Sequence, residues 1–149
     1  MKFLLYLAIL PSIIIGYLIY RLDKVEKEPI SKLIQALLLG VVSAILTVIV
    51  SYLLGIVKIH VDDIQSLPRL FFYSLIGIAL IEEGCKCLCT YLLLHKNKDY
   101  NYLFDGVVYT VFVSLGFATI ENIIYSVVGG LQAVLIRGVF TVPAHAFFA

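Results

Sequence analysis

Two adjacent glutamates and a lysine stand in the middle of an apolar stretch of this sequence. Glu82 and Glu83 lie near the centre of residues 70–94, and Lys86 follows the first of them by four positions. A carboxylate held away from bulk water can take a proton from a bound water molecule, which is an early step of many hydrolytic reactions. The residue types and their surroundings therefore point to a general base inside an apolar region.

Polar residues also interrupt two later apolar stretches. Glu121 and Asn122 lie within the run that begins near Leu103, while Arg137 and His145 lie within the run that ends the sequence. A histidine in such a place can share the duty of a base, donate a hydrogen bond to an oxyanion or bind a metal ion. These residues extend the candidate catalytic group over three separate segments of the chain.

The carboxylates and the imidazole also form a set that suits zinc. Catalytic zinc is bound by histidine and carboxylate ligands, with a water molecule at an open position. Glu82 or Glu83 can serve together with Glu121 and His145, and the predicted ligand set is Glu82, Glu121 and His145. One histidine is few for zinc, so a pair of glutamates that activates water without a metal is the alternative.

The composition indicates where these residues are placed. The chain has 149 residues, of which 62% are hydrophobic and 14% are charged, and its formal net charge is +1. Its mean hydropathy is +1.04. A chain this apolar cannot cover itself with a water-compatible surface, so we expect an integral membrane protein in contact with the lipid bilayer. The small net charge and the lack of a basic run argue against a nucleic acid partner.

The apolar stretches predict an all-α fold, a polytopic membrane helix bundle with about five spanning helices. Each stretch is close to the length of about 20 residues that a helix needs to cross a bilayer. The pair Gly129 and Gly130 separates the last two, and the last is still apolar where the sequence stops, which suggests a truncated fifth helix and a fragment of a longer protein. We predict one domain, 1–149, with spans at about 3–20, 33–57, 70–94, 103–128 and 131–149.

Basic residues between the spans predict the orientation in the membrane. The loop 21–32 holds four lysines and arginines and the loop 95–102 holds two, while the loop 58–69 and the N-terminal tail together hold three. Loops rich in lysine and arginine stay in the cytoplasm. We therefore expect the first and third loops on the cytoplasmic side and the N-terminus outside.

Some residues predict structure rather than chemistry. Gly40, in the second span, is one of several small residues that would let another helix approach closely. Asp105 stands where the fourth helix should begin, so a helix cap is its predicted role. Asn122 is expected to form a hydrogen bond between helices.

Four motifs in this order resemble the PrsW family of bacterial intramembrane proteases, and more distantly the superfamily of CAAX prenyl endopeptidases and bacteriocin-processing enzymes. The resemblance implies a multi-helix hydrolase of the bacterial cytoplasmic membrane that cuts a membrane-anchored protein, such as an anti-sigma factor cleaved at its first, outward-facing site. The motifs are Glu82-Glu83-x-x-Lys86, Asp105-Gly106-x-x-Tyr109, Gly116-Phe117-x-x-x-Glu121-Asn122, and Arg137 followed by His145.

The same resemblance implies roles for individual residues. Glu82 and Glu83 match the paired glutamates of the family, and the first is the favoured activator of water. Glu121 matches the acidic residue of the later motif, and His145 matches the final histidine, which is either a metal ligand or an oxyanion donor. Relatives of the CAAX type have an asparagine four residues beyond that histidine, where this sequence has Ala149, so this part of an oxyanion site is lacking.

Each of these residues also has a purely structural interpretation. The glutamates and Lys86 could form an ion cluster that fixes the register of the bundle. Glu121 could simply neutralise Arg137, and His145 could be a core histidine with satisfied hydrogen bonds. At the level of function, a small proton or cation transporter and a catalytically inactive membrane scaffold are the two alternatives to a protease.

Overall fold

The described part of the chain is built from helices. The computed structural model describes residues 2–24, 27–56, 64, 66–95, 97 and 100–149, and no β-strand occurs in these ranges. A π-helical segment, Tyr73–Ala79, joins α3 to α4, and a second one, Arg137–Thr141, joins α5 to α6. The α-helices are α1 (Lys2–Leu22), α2 (Ile30–Leu53), α3 (Leu67–Phe72), α4 (Leu80–Leu94), α5 (Leu103–Ile136) and α6 (Val142–Phe147).

Three helical segments are long and apolar enough to cross a membrane. They are Lys2–Leu22, Ile30–Leu53 and Leu103–Phe147. The predicted third span, 70–94, is helical but divided by its π-helical segment, and the predicted fourth and fifth spans form one helical stretch. The all-α membrane fold is thus confirmed, whereas the count of five spanning helices is not. The end of the predicted second span at 57 and most of the loop 58–69 lie outside the described residues.

The last helical stretch reverses its direction at the predicted glycine turn. Gly130 has φ +62° and ψ −150°, a backbone conformation that interrupts a helix and that glycine adopts without strain. A straight helix would separate Glu121 from His145 by about 36 Å. Their side chains instead lie 3.0 Å apart, and Val142 is packed against Val111. The turn therefore folds α6 back along α5.

The helix α5 is the centre of the fold, because α1, α2, α4 and α6 all pack against it. Its closest neighbour is α2, at a point where two glycines meet. A Cβ atom added to Gly40 would overlap the carbonyl oxygen of Val113 and lie 2.8 Å from the Cα of Gly116, and a Cβ added to Gly116 would overlap the carbonyl oxygen of Leu37. The two backbones are in direct contact, as small residues in membrane helices allow.

Buried acidic side chains connect the loop after α1 to the beginning of α5. Glu28 is 4% exposed and accepts a hydrogen bond from the hydroxyl of the fully buried Tyr109. Asp105 accepts hydrogen bonds from the backbone N–H groups of Asn101 (2.9 Å) and Tyr102 (2.7 Å), so it caps α5. These contacts place the first and third loops at the same end of the bundle.

Burial raises the pKa of the Glu28 carboxyl above its ordinary value of 4.5. The hydrogen bond from Tyr109 acts in the opposite direction, and the nearby negative charges of Asp105 and Asp23 add to the rise. An acid whose pKa is raised by folding contributes stability while it is protonated, and that contribution is lost as the pH rises through the folded-state pKa. Glu28 therefore weakens the folded state at neutral pH relative to a neutral side chain of the same shape.

The contact between α2 and α5 predicts the effect of one added methyl group. Gly40→Ala should lower the free energy of unfolding by about 1–3 kcal/mol, because the backbones must move apart. Gly84→Ala is the matched control: Gly84 lies in α4, and no other part of the described structure comes within 4 Å of its added Cβ. Thermal unfolding in detergent should show a lower midpoint for the first variant only. Equal midpoints for both variants would contradict the close contact.

The raised pKa of Glu28 predicts a pH dependence of stability. As the pH rises from 5 to 8, the midpoint of thermal unfolding of the original protein should fall relative to that of Glu28→Gln. The reason is that glutamate must ionise in its buried position, whereas glutamine stays neutral. Glu28→Ala is the control, since it also loses the acceptor for Tyr109 and should be destabilised across the whole range. A constant difference between Glu28→Gln and the original protein would show that Glu28 does not titrate in this way.

Candidate active site

The helix α4 presents its acidic pair on two different sides. Successive residues of a helix are about 100° apart, so the side chains of Glu82 and Glu83 leave α4 in different directions. Glu83 points toward Lys86, whose Nζ lies 2.6 Å from its Oε1. Within the described structure, the carboxylate of Glu82 forms no hydrogen bond or ion pair. Glu82 is therefore the carboxylate of this pair that is available to a water molecule.

Lys86 connects α4 to α6 inside the protein. Its side chain is only 3% exposed, and its Nζ lies 3.0 Å from Nδ1 of His145. The ammonium also lies 4.6 Å from the centre of the Phe117 ring, an arrangement that favours a cation. An ammonium can only donate hydrogen bonds, so the Nδ1 atom of His145 accepts this one.

His145 reaches α5 through its other ring nitrogen. Its Nε2 lies 3.0 Å from Oε2 of Glu121. Because Nδ1 accepts from Lys86, the proton of a neutral His145 ring is on Nε2 and is donated to the carboxylate. The imidazole is 11% exposed, and its ring centre lies 5.4 Å from that of Phe117. Both nitrogens are thus held, which fixes the orientation of the ring.

A second cation balances the charge of Glu121. Arg137, from the π-helical segment before α6, places Nη2 at 2.7 Å from the same Oε2 atom. Its guanidinium carbon lies 4.1 Å from the centre of the Tyr125 ring. The pairing of Glu121 with Arg137 is the structural alternative that the sequence suggested, and the structure combines it with the contact to His145. The five charged or imidazole groups form one continuous series: Glu83, Lys86, His145, Glu121 and Arg137.

Three side chains at this site could hold a metal ion. One potential ligand atom each from Glu82, Glu83 and His145 lie within 4.8 Å of one another. Two carboxylates and an imidazole fit a divalent metal that has an open position for water. The ligand set predicted from the sequence had Glu121 in place of Glu83, and that set remains a prediction. In this structure the carboxylate of Glu121 contacts His145 and Arg137.

The remaining predicted residue, Asn122, faces away from this site. It is fully buried, and its Nδ2 donates a hydrogen bond of 2.8 Å to the backbone carbonyl of Ala8 in α1. One turn away, the hydroxyl of Thr119 donates a hydrogen bond of 2.7 Å to that of Ser12. This side of α5 binds α1, while the opposite side carries Glu121.

No role was predicted from the sequence for the aromatic residues of the site, although Phe117 belongs to one of the four motifs. Phe117 contacts both Lys86 and His145, and Tyr125 covers Arg137. A signal was available, because both aromatic residues lie four positions from Glu121 and therefore share its face of the helix. In a helix that is apolar on every side, however, an aromatic residue indicates a cation contact only when the position of the cation is known.

The ion pair between Glu121 and Arg137 predicts a strongly coupled pair of substitutions. Arg137→Gln should destabilise the protein by about 3 to 5 kcal/mol, because it removes one partner of a buried pair. The double variant Arg137→Gln with Glu121→Gln should recover most of that loss, which thermal unfolding of the single and double variants would measure. Simple addition of the two single effects would contradict the pairing.

Comparison with known proteins places the chain in a family. The sequence profile of the PrsW family, described as "PrsW family intramembrane metalloprotease", matches residues 28–149. A protein named Protease PrsW from Clostridioides difficile (strain 630) is 36% identical over 147 residues, covering 96% of this chain and 60% of the relative. No solved structure matches.

Two further relatives bear the same name. Protease PrsW of Geobacillus kaustophilus is 29% identical over 142 residues, covering 95% of this chain and 60% of the relative. Protease PrsW of Bacillus subtilis (strain 168) is 30% identical over 139 residues, covering 93% and 61%. The chain thus spans about 60% of the length of these relatives. With most of its length matched by the profile and the paired glutamates, Glu121 and His145 gathered in one site, the chain belongs to the PrsW family of intramembrane metalloproteases.

Proposed function

We propose that this chain forms the catalytic part of an intramembrane protease that hydrolyses a peptide bond of a membrane-anchored protein. The observation that carries the proposal is the meeting of Glu82 and Glu83 from α4, Glu121 from α5 and His145 from α6 in one partly enclosed site. Membership of the family supports the same reaction. A structural ion cluster alone would not need Glu82, which takes part in none of the ion pairs among the described side chains.

Glu82 is the proposed general base. Its carboxylate takes a proton from water as the oxygen attacks the peptide carbonyl carbon, and the proton then passes to the departing amine nitrogen. His145 is held by Glu121 on one side and by Lys86 on the other, so its ring stays in place during this transfer. Lys86 and Arg137 supply positive charge near the oxyanion that develops on the carbonyl oxygen.

A divalent metal, with zinc the first candidate, fits the same site. Glu82, Glu83 and His145 would hold it, and the second candidate set replaces Glu83 by Glu121. Glu82 would then be a ligand, and its role as the general base belongs to the form without a metal. A bound metal ion supplies a Lewis acid and makes its water easier to deprotonate. A mechanism in which the glutamates work without a metal is the alternative form of this proposal.

The proposed substrate is a single-span membrane protein, such as an anti-sigma factor cut at its first, outward-facing site. The proposed location is the bacterial cytoplasmic membrane, with the N-terminus outside and the loop 21–32 in the cytoplasm. The four basic residues of that loop support this orientation. In this arrangement α1 and α2 are two of the five predicted spans, and α3 with α4 is the third. The single stretch Leu103–Phe147 supplies the other two, because it reverses at Gly130.

Substitution of the general base and the histidine tests the proposal. Glu82→Gln and His145→Ala should each lower cleavage of a co-expressed single-span substrate by at least about 100-fold. The first variant lacks the proposed base, and the second lacks the ring that connects Lys86 to Glu121. Two variants that make the same changes away from the site are the matched controls. Glu28→Gln changes a buried glutamate at the other end of the bundle, and His95→Ala changes a histidine just after the end of α4.

The measurement is the ratio of cut to intact substrate on an immunoblot, together with the amount of variant protein in the membrane fraction. Both active-site variants should be inserted in normal amounts. Normal cleavage by Glu82→Gln and by His145→Ala would reject the proposed function, whatever the controls do.

A further inference from the structure

We infer that the ammonium group of Lys86 and a divalent metal ion are alternative occupants of one position, between Glu83 and His145, so that Lys86 controls whether the site takes up a metal. The inference deepens the proposed function, because it concerns the same site and explains how a metal would be admitted to it. It rests on the contacts of three side chains, Lys86, Glu83 and His145.

The first argument is that the ammonium already uses the atoms that a metal would need. Nζ of Lys86 lies 2.6 Å from Oε1 of Glu83 and 3.0 Å from Nδ1 of His145. These two residues belong to the group of three whose potential ligand atoms lie within 4.8 Å of one another. A zinc ion would stand about 2.0–2.2 Å from the same oxygen and nitrogen atoms. The Nδ1 atom of His145 has a single lone pair, so it cannot accept from the ammonium and bind a metal ion at the same time.

The second argument comes from the other side of the imidazole. Nε2 of His145 donates to Glu121, and Arg137 holds the same carboxylate oxygen. A histidine that binds a metal commonly donates its other ring N–H to a carboxylate in this way, which fixes the tautomer of the ligand. Nδ1 is therefore the nitrogen prepared for a metal, and Nδ1 is the atom that Lys86 contacts.

The third argument is that the ammonium of Lys86 has a partner besides the two potential metal ligands. Its long flexible stem can move the charge without moving α4, and its ammonium already lies 4.6 Å from the centre of the Phe117 ring. An aromatic face can continue to stabilise the ammonium after it has left the two ligands. With its side chain 3% exposed, Lys86 has little access to water, so its ammonium depends on partners inside the protein such as this ring.

Titration of the purified protein with Co²⁺ tests this inference without any substrate. Cobalt bound by carboxylates and imidazole absorbs visible light, so its affinity can be measured directly. Lys86→Leu should bind Co²⁺ at least ten times more tightly than the original protein, because the ligands are no longer occupied. Lys86→Gln should also gain affinity, and Lys86→Arg, which keeps a cation with hydrogen-bond donors in place, should not.

Arg137→Leu is the matched control. It removes one positive charge from the same series of side chains but leaves Lys86 on Nδ1 of His145. A general electrostatic effect would raise the Co²⁺ affinity of Arg137→Leu as much as that of Lys86→Leu, whereas competition for the ligands predicts a clearly smaller gain. Adding His145→Ala to Lys86→Leu should remove the visible absorption.

Three results would overturn the inference. They are unchanged Co²⁺ affinity in both neutral Lys86 variants, an equal gain in Arg137→Leu, and continued binding after His145→Ala. Thermal unfolding without metal identifies any variant that has not folded. If Lys86→Leu has not folded, Lys86→Gln, which keeps a polar side chain, is compared with the original protein instead. Because binding is measured apart from cleavage, the two ideas can fail separately. Normal cleavage by Glu82→Gln and His145→Ala would reject the proposed function, whereas the Co²⁺ affinities alone decide the role of Lys86.

Discussion

The position of His145 between Lys86 and Glu121 is the interaction on which the site depends. An unpaired ionisable side chain at the centre of a bilayer costs roughly 2.5–3.5 kcal/mol even on the lenient scale, so such groups gather where they can be paired. Here the charges alternate along the series from Glu83 to Arg137, and among the described residues the imidazole is what connects its two halves. Without that ring, two separate ion pairs would remain, one on α4 and one between α5 and the segment before α6.

The backbone features that bring the imidazole to this place lie outside the site. Gly130 reverses the chain, and the glycines at positions 40 and 116 let α2 lie directly on α5. Both π-helical segments come shortly before site residues, Tyr73–Ala79 before Glu82 and Arg137–Thr141 before His145. A π-helical turn holds extra residues and so rotates the side chains that follow it, which is one reason why such turns are common at functional sites.

The sequence could suggest two ion pairs, of the acidic pair with Lys86 and of Glu121 with Arg137, but not the contacts that join them into one series. Ionisable groups in apolar segments predicted that Glu82, Glu121 and His145 would turn inward, and the glycine pair predicted the reversal. The prediction that Gly40 permits a close helix contact agrees with the observed backbone contact. The contact of Lys86 with Nδ1 of His145 could not be predicted, because it depends on helix rotations. In helices that are apolar on every side, as α5 is, periodicity does not fix the rotation.

The length of α5 relates the two polar regions of the protein to each other. The buried group around Glu28, Asp105 and Tyr109 lies at the end where the first and third loops meet. Glu121 is 16 residues beyond Asp105, about 24 Å along the helix, in a hydrocarbon layer about 30 Å thick. If the loop 21–32, with its four basic residues, faces the cytoplasm, Glu121 lies in the outer half of the membrane. Under the proposed function, α5 would therefore set the depth in the bilayer at which the substrate is cut.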